Sequence, residues 1–287
     1  MLNIDFISAS LNEKTREKFE LLQKRLRELE KVLIAYSGGV DSTFLLAVAR
    51  QQLGEKAVAV IATSETYPES ELEMALTTAR QLAVEPLVIT TSELTNSAFT
   101  ANPPERCYYC KKELFASLKK VAREQGINWI VDGTNASDGN DFRPGRKAAA
   151  EEGVISPLAE CGLTKEEIRH LARLIGLPNW NKPAMACLAS RIPYGQKITA
   201  EALQRVARAE AFLREKGFPQ NRVRHHFPLA RIEVPLAEIP RLTTGSLAEE
   251  IVSYFRQLGF TYVTVDLAGL RSGSMNEVLP REITKRS

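Results

Sequence analysis

Apolar residues recur along this chain in two alternating rhythms. Between residues 11 and 30, Leu21, Leu22, Leu26 and Leu29 fall at helical spacing among charged residues, which predicts an amphipathic helix. Residues 31–36 are an apolar run of strand length, and a helix-compatible pattern follows over 43–53. The succession then repeats. AVAVIAT at 57–63 reads as a strand, and 69–82 as a helix with Leu72, Ala75, Leu76 and Ala79 on one side. PLVITT at 86–91 reads as a strand, and a helix runs from about Lys111 to Gln125, closed by Gly126. NWIVDG at 128–133 is a fourth strand, and it ends in the turn-rich GTNASDGNDFRPG. Short apolar runs separated by helices predict a parallel sheet covered on both faces.

The pattern changes after the capping box Thr164-Lys-Glu-Glu167, which opens a helix ending near Gly176 and Pro178. Residues 177–198 show little periodicity and carry Pro178, Pro183, Pro193 and Gly195. Beyond them come a helix (199–216), strands at 222–226 and 230–234, a helix (246–258) and a strand (261–267). The expected fold class is α/β: a Rossmann-like domain with a parallel sheet over 1–192, then a small α+β domain over 193–287 for substrate binding or oligomerisation.

Composition narrows the picture. Apolar residues make up 44% of the 287, ample for a core. The net charge of +3, with no basic run, argues against nucleic acid as a partner. No apolar stretch approaches bilayer length, and the N-terminus lacks the basic-then-apolar order of a secretory signal. A cytoplasmic location and no membrane partner are expected. Four cysteines are too few for a disulfide framework, so their chemistry is the better question.

The segment VLIAYSGGVDSTF at 32–44 places Ser-Gly-Gly between the first strand and a helix. Backbone amides in such a turn, beside a helix N-terminus, suit phosphate, and Gly38 and Gly39 let the main chain approach closely. Walker-type loops carry a lysine that is missing here. Ser37, Ser42, the loop amides and Mg²⁺ are left to offset the phosphate charge. Asp41 is a candidate to place Mg²⁺, and equally a helix cap. The loop after the fourth strand, with Asp132, Gly133, Thr134, Asn135, Asp138 and Arg143, falls at the sheet edge where ligands bind in open α/β folds.

Cys107 and Cys110 form C-Y-Y-C just before a predicted helix; Cys187 lies in MACLASRIPYG, and Cys161 stands apart. A helix N-terminus favours thiolates. Redox exchange is one reading, but the fold order does not suit it and it leaves Cys187 idle. A zinc site needs a fourth ligand, for which Cys161 is the candidate. A cubane cluster on three cysteines, with one iron open to carry sulfide, is the third. Ser190 and Arg191 follow Cys187, and Arg222, Arg224 and Arg231 flank the short strands near Glu233 and Asp266. Arginine forks suit phosphate and carboxylate. His225 and His226 are adjacent, so a strand turns them to opposite faces. Trp129 and Trp180 read as packing residues, with Trp180 also a candidate to line a pocket.

SGGVDS resembles the PP-loop of N-type ATP pyrophosphatases, which cut ATP between the α- and β-phosphates, and GTNASD resembles their nucleotide-facing segment. Together with KPAMACLASRIPYG, RVRHH, ARIEV and GFTYVTVDLAGLRSGSMNE, the chain from about residue 15 to 279 is similar to the LarE family, ATP-dependent sulfur-insertion enzymes of nickel-pincer nucleotide synthesis. The resemblance implies that ATP adenylylates the carboxylates of pyridinium-3,5-biscarboxylic acid mononucleotide. Sulfur then displaces AMP to give the bis-thiocarboxylate precursor of the lactate racemase cofactor. Some members sacrifice a cysteine. This chain has the three-cysteine pattern of cluster-containing sulfurtransferases, which implies a [4Fe–4S] cluster on Cys107, Cys110 and Cys187.

The ATP and pyrophosphate site is then expected at Ser37, Gly38, Gly39, Val40, Asp41, Ser42, Thr63, Gly133, Asn135, Asp138 and Arg143. The catalytic set is Cys187, Asp41, Ser190 and Arg191, and the substrate phosphate falls to Arg222, Arg224, Arg231, Glu233 and Asp266. Cofactors are ATP, Mg²⁺ and the cluster. Partners are the pyridinium nucleotide, a sulfur donor (sulfide or a sulfur carrier) and further copies of the chain, a hexamer by resemblance. The alternatives are sacrificial sulfur donation from Cys187, tRNA thiolation by a cluster-containing PP-loop enzyme, and a nucleotide- or metal-binding regulatory protein without turnover.

Overall fold

The computed structural model describes residues 11–140, 144–183, 186–271 and 273–280. In chain order the elements are α1 (Glu13–Leu29), β1 (Val32–Ala35), α2 (Val40–Leu53), β2 (Ala57–Thr63), α3 (Glu69–Gln81), β3 (Leu87–Thr90), α4 (Ser97–Thr100), α5 (Arg106–Glu124), β4 (Trp129–Val131), α6 (Gly145–Glu151), α7 (Pro157–Glu160), α8 (Lys165–Leu174), α9 (Ala200–Glu215), β5 (Arg222–His226), β6 (Leu229–Glu233), α10 (Ile239–Thr243), α11 (Gly245–Gln257) and β7 (Tyr262–Val265). They gather into two compact units. One holds residues 11–93 and 107–183, the other residues 94–106 and 186–280.

In the first unit four parallel strands lie in the order β3-β2-β1-β4. Alternation along β1 sends Val32 and Ile34 to one face and Leu33 to the other. The first face packs on α1, α2 and α8 through Phe19, Leu22, Phe44, Leu45 and Leu171; the second packs on Phe115, Leu118 and Ala122 of α5. The expected parallel sheet with helices on both faces is what forms. Because β2 and β3 extend the sheet on one side of β1 and β4 on the other, the order reverses at β1. Open α/β sheets bind ligands in the crevice at that point, beyond the carboxyl ends of the strands.

Details depart from the periodicity. Leu21 is 49% exposed, because Phe19, Leu22, Leu26 and Leu29 already fill the buried stripe of α1. Trp129, expected to pack, stands 44% exposed on the edge strand β4, whereas Trp180 packs against the core with the Arg173 guanidinium over its ring.

In the second unit β5 and β6 are antiparallel, and β7 joins β6 in parallel. Val223, Ala230 and Ile232 face a core closed by Leu213, Phe255 and Phe260. The opposite alternation places Arg222, Arg224, Arg231 and Glu233 together on the other face. The unit takes in residues 186–192 and 94–106 because buried polar contacts tie them there. Arg191 pairs with Glu210, and the Asn102 amide donates to the carbonyls of Ile192, Pro193 and Gln196.

Phe44 is fully buried, with its ring 6.2 Å from that of Phe19. Replacing it by alanine is expected to cost about 3–5 kcal/mol, read as a lower urea midpoint at unchanged slope.

Candidate active site

The stretch Ser37–Ser42 leaves β1 at the carboxyl edge of the sheet and runs into α2. Gly38 has φ +67°, and a Cβ there would fall 2.5 Å from the Ala75 Cβ on α3. Both facts require glycine. The Ser42 hydroxyl donates to the Gly39 carbonyl (3.1 Å) and accepts from the Ser37 amide (3.2 Å), so the turn is closed by its own side chains. The Tyr67 hydroxyl donates to the Ser37 carbonyl (3.0 Å). Burial, then the neighbouring Glu71, pushes the Tyr67 phenol well up, so it stays protonated as that donor. The first amides of α2 have no acceptor a turn earlier in the helix, the arrangement that suits an anion.

The loop after β4 packs directly against this turn. A Cβ on Gly133 would fall 2.8 Å from the Ser42 amide nitrogen. Asp132 anchors the loop by accepting from the Thr134 amide and from the Thr134 and Ser156 hydroxyls. Asn135 reaches Asp41 with its side-chain amide (3.4 Å), and the Asn135 backbone amide donates to Asp138 (3.1 Å). Thr63 ends β2 at the same sheet edge, its carbonyl taking the Thr91 amide. Arg143 lies outside the described residues.

Two lysines outside the predicted set stand beside the loop. Lys165, the first residue of α8, pairs with Asp41 Oδ2 at 2.6 Å. Lys182 pairs with Glu71 at 2.7 Å and lies 3.5 Å from the Gly38 carbonyl. The loop thus lacks a lysine of its own, yet lysines reach it from other elements. The position of Lys165 at the start of α8 was visible in the capping box; Lys182 sat in an aperiodic stretch with nothing to mark it. Burial raises the Asp41 carboxyl above its ordinary range, outweighing Lys165, and Asp138 adds to the rise. Asp41 Oδ1 is buried without a partner among the described residues.

The cysteines divide into kinds. The helix expected from Lys111 begins at Arg106, so Cys107 and Cys110 fall within the first five residues of α5 rather than on the approach to it. Cys107 is exposed and Cys110 half-buried, its thiol 3.9 Å from the buried Glu93 carboxylate. Cys161 sits in the core of the first unit, where burial pushes its thiol up to about 11. A thiol so placed is a poor ligand. Among the described residues no group of three or more His, Cys, Asp and Glu side chains is gathered to hold a metal.

In the second unit Cys187 precedes a short turn, Leu188–Arg191. Arg191 grips Glu210 through two bonds (2.7 and 3.0 Å) and donates to the Ala186 and Cys187 carbonyls and to the Ser190 hydroxyl. Arg224 grips Glu233 likewise (2.8 and 2.7 Å) and donates to the Ser190 carbonyl and the Ser274 hydroxyl. Both guanidiniums are fully buried. Arg231 shares Glu233 (3.2 Å) and lies 3.6 Å from Asp266. Arg222 has a carbonyl partner, that of Arg271, and its guanidinium is pushed down by burial and by Arg191 and Arg224. An anion beside it would relieve that repulsion.

A glycine turn and helix N-terminus at the reversal point of a parallel sheet, faced by a second turn carrying Asn135 and Asp138, define a PP-loop ATP pyrophosphatase. The family model of asparagine synthase matches residues 19–119. The chain is 47% identical over 264 residues to an uncharacterized protein of Synechocystis sp., covering 92% of this chain and 98% of that one. It is 39% identical over 257 residues to the pyridinium-3,5-bisthiocarboxylic acid mononucleotide synthase of Lactiplantibacillus plantarum, covering 89% and 92%. An uncharacterized protein of Methanocaldococcus jannaschii is 32% identical over 261 residues, covering 89% and 98%. The chain belongs to the LarE family, and ATP is the nucleotide its loop serves. None of the described helices is long and apolar enough to cross a membrane.

Two outcomes follow from this geometry. Gly38→Ala is expected to introduce strain of about 1–3 kcal/mol at the positive φ and to abolish pyrophosphate release from ATP, checked by thermal melting and a coupled phosphate assay. At pH 8 iodoacetamide is expected to label Cys107 and spare Cys161 until the protein is denatured, as peptide mapping would show. Because the folded Cys161 thiol pKa lies above its unfolded value of about 8.5, its contribution to stability is full below that value and is lost as pH rises through 11.

Proposed function

We propose that this protein inserts sulfur into pyridinium-3,5-biscarboxylic acid mononucleotide at the expense of ATP. The observation that carries the reading is the 39% identity, over nearly the whole length of both chains, to the L. plantarum synthase. The loop geometry supports the ATP half of the reaction. A substrate carboxylate oxygen attacks the α-phosphorus, the bond from that phosphorus to the β-phosphate bridging oxygen breaks, and pyrophosphate departs into the amides of residues 38–41. Ser37, Ser42, Asn135 and Asp138 complete the walls, and Thr63, Val40, Gly133 and Arg143 are assigned to the same nucleotide site. The buried, unpartnered Asp41 Oδ1 suits a Mg²⁺ ion, which would offset phosphate charge there. Lys165 stands next to it.

The acyl-adenylate is then open to sulfur. A sulfur nucleophile forms a bond to the acyl carbon, the bond from that carbon to the AMP oxygen breaks, and AMP leaves with the electron pair. Holding the two reactants together is worth up to about 7–11 kcal/mol. Arg191 and Arg224 fix the turn that carries Cys187 and Ser190. We assign Arg222 and Arg231, with Asp266 holding Arg231, to the substrate phosphate, and Arg224 with Glu233 to keeping that face in order. The accessibility of Cys107, Cys110 and Cys187 supports them as the ligands, and the burial of Cys161 weighs against it as a fourth. A [4Fe–4S] cluster on three thiolates would keep one iron open for a sulfide ligand.

Pyrophosphate release is expected to depend on the pyridinium substrate; release that depends on tRNA instead would overturn the reading. After anaerobic reconstitution, iron and sulfide analysis is expected to give about four of each per chain, with Cys187→Ala losing both. An iron-free protein whose mass falls by hydrogen sulfide at Cys187 after turnover would assign the sulfur to the cysteine itself.

A further inference from the structure

A trans peptide sets its C=O and N–H on opposite sides of the chain. In the phosphate loop the carbonyls of residues 37–39 all have partners, in the loop and the helix it opens or on other elements. Ser37 O accepts from the Tyr67 hydroxyl (3.0 Å), Gly38 O from Asn179 Nδ2 (3.1 Å), and Gly39 O from the Ser42 hydroxyl (3.1 Å) and the Thr43 amide (3.0 Å). The amides that follow these carbonyls are thereby turned the other way. The weak point in this arrangement is Gly38. It must be glycine to lie against Ala75, and glycine is also the residue least able to resist rotation of the peptide plane that follows it.

We propose that Asn179 is a positioning residue of the pyrophosphate site. It does not touch the nucleotide. By holding the Gly38 carbonyl it locks the 38–39 peptide and so aims the Gly39 amide at the phosphate. The inference rests on the reading of residues 37–42 as the cradle for pyrophosphate. Asn179 Nδ2 makes a second bond, to Thr43 Oγ1 in the first turn of α2 (2.9 Å), so one amide group grips both the loop and the helix it opens. Asn179 is buried, and its Oδ1 has no partner among the described residues. Buried polar atoms are rarely left unpaired, and a residue kept for packing alone would carry no such atom. What the side chain supplies is the pair of donated bonds. Lys182 adds to the grip: its ammonium, fixed by Glu71 of α3, lies 3.5 Å from the same carbonyl. The clamp comes from an aperiodic stretch far from the loop in sequence, which is why neither residue is suggested by the loop's own pattern.

The test compares wild type with Asn179→Leu, which keeps the branched shape without the donor, and with Asn179→Ala, in the whole chain. Calorimetry measures the affinity for inorganic pyrophosphate with Mg²⁺ and for AMP, and a melting curve reports the fold. The expected result is pyrophosphate binding weakened about 10- to 100-fold, the loss of one hydrogen bond to a charged group, while AMP affinity holds and both variants still melt in a single cooperative transition. Pyrophosphate affinity within about twofold of wild type in either folded variant would overturn the proposal. So would AMP affinity and melting temperature that fall in step with pyrophosphate affinity, which marks a packing residue. Wild-type protein that does not bind pyrophosphate would overturn the reading of the loop, and this inference with it.

Discussion

The nucleotide site depends on how closely two backbones can approach a helix N-terminus. Gly38 lies against Ala75 on one side of the turn, and Gly133 against the Ser42 amide on the other, each without room for a methyl group. These contacts fix the turn between α3 and the loop after β4, with the order reversal of the sheet behind it. Everything else at the site is placed relative to that turn: Asp41 on the first helical turn, Asn135 reaching it from across the crevice, Lys165 from the start of α8.

The second unit achieves order by a different means. It holds two buried arginines, Arg224 on the polar sheet face and Arg191 in the turn Leu188–Arg191, each in a two-pronged pair with a glutamate. Buried ion pairs often add little to stability against an apolar alternative, because both charges lose their hydration. Their value here lies in direction. Arg191 spends its remaining donors on the carbonyls of residues 186 and 187, and Arg224 on that of residue 190. A short turn, Leu188–Arg191, is thus held from two sides by buried guanidinium groups.

Much of this was legible from the pattern of apolar residues. The four short runs became the four parallel strands, and the capping box at Thr164 opened α8 where expected, with both reciprocal bonds formed. The positions that escaped are those whose roles come from tertiary contact. Leu21 has the spacing of a core residue but lies to one side of the stripe that Phe19 completes. The apolar pattern predicts the start of α5 five residues late, because C-Y-Y-C carries no helical periodicity of its own. Short helices at Ser97–Thr100, Gly145–Glu151 and Pro157–Glu160 are too brief to show a period. Asn179 and Lys182 bond to a residue more than a hundred positions away, and no local pattern encodes that. Glycines in the loop were readable because steric need shows in residue type; the partners of a carbonyl do not.

The cradle and its countercharges are built from different stocks. Main-chain amides form the cradle, and its shape is set by two glycines and by the Tyr67, Asn179 and Ser42 side chains that hold its carbonyls. The positive charge comes from Lys165 and Lys182, which stand on separate segments and are held by separate carboxylates, Asp41 and Glu71. Such a division of labour makes the scaffold adaptable. The charge beside the loop can change at Lys165 without touching the glycines that set its shape, whereas a change at Lys182 also reaches the Gly38 carbonyl.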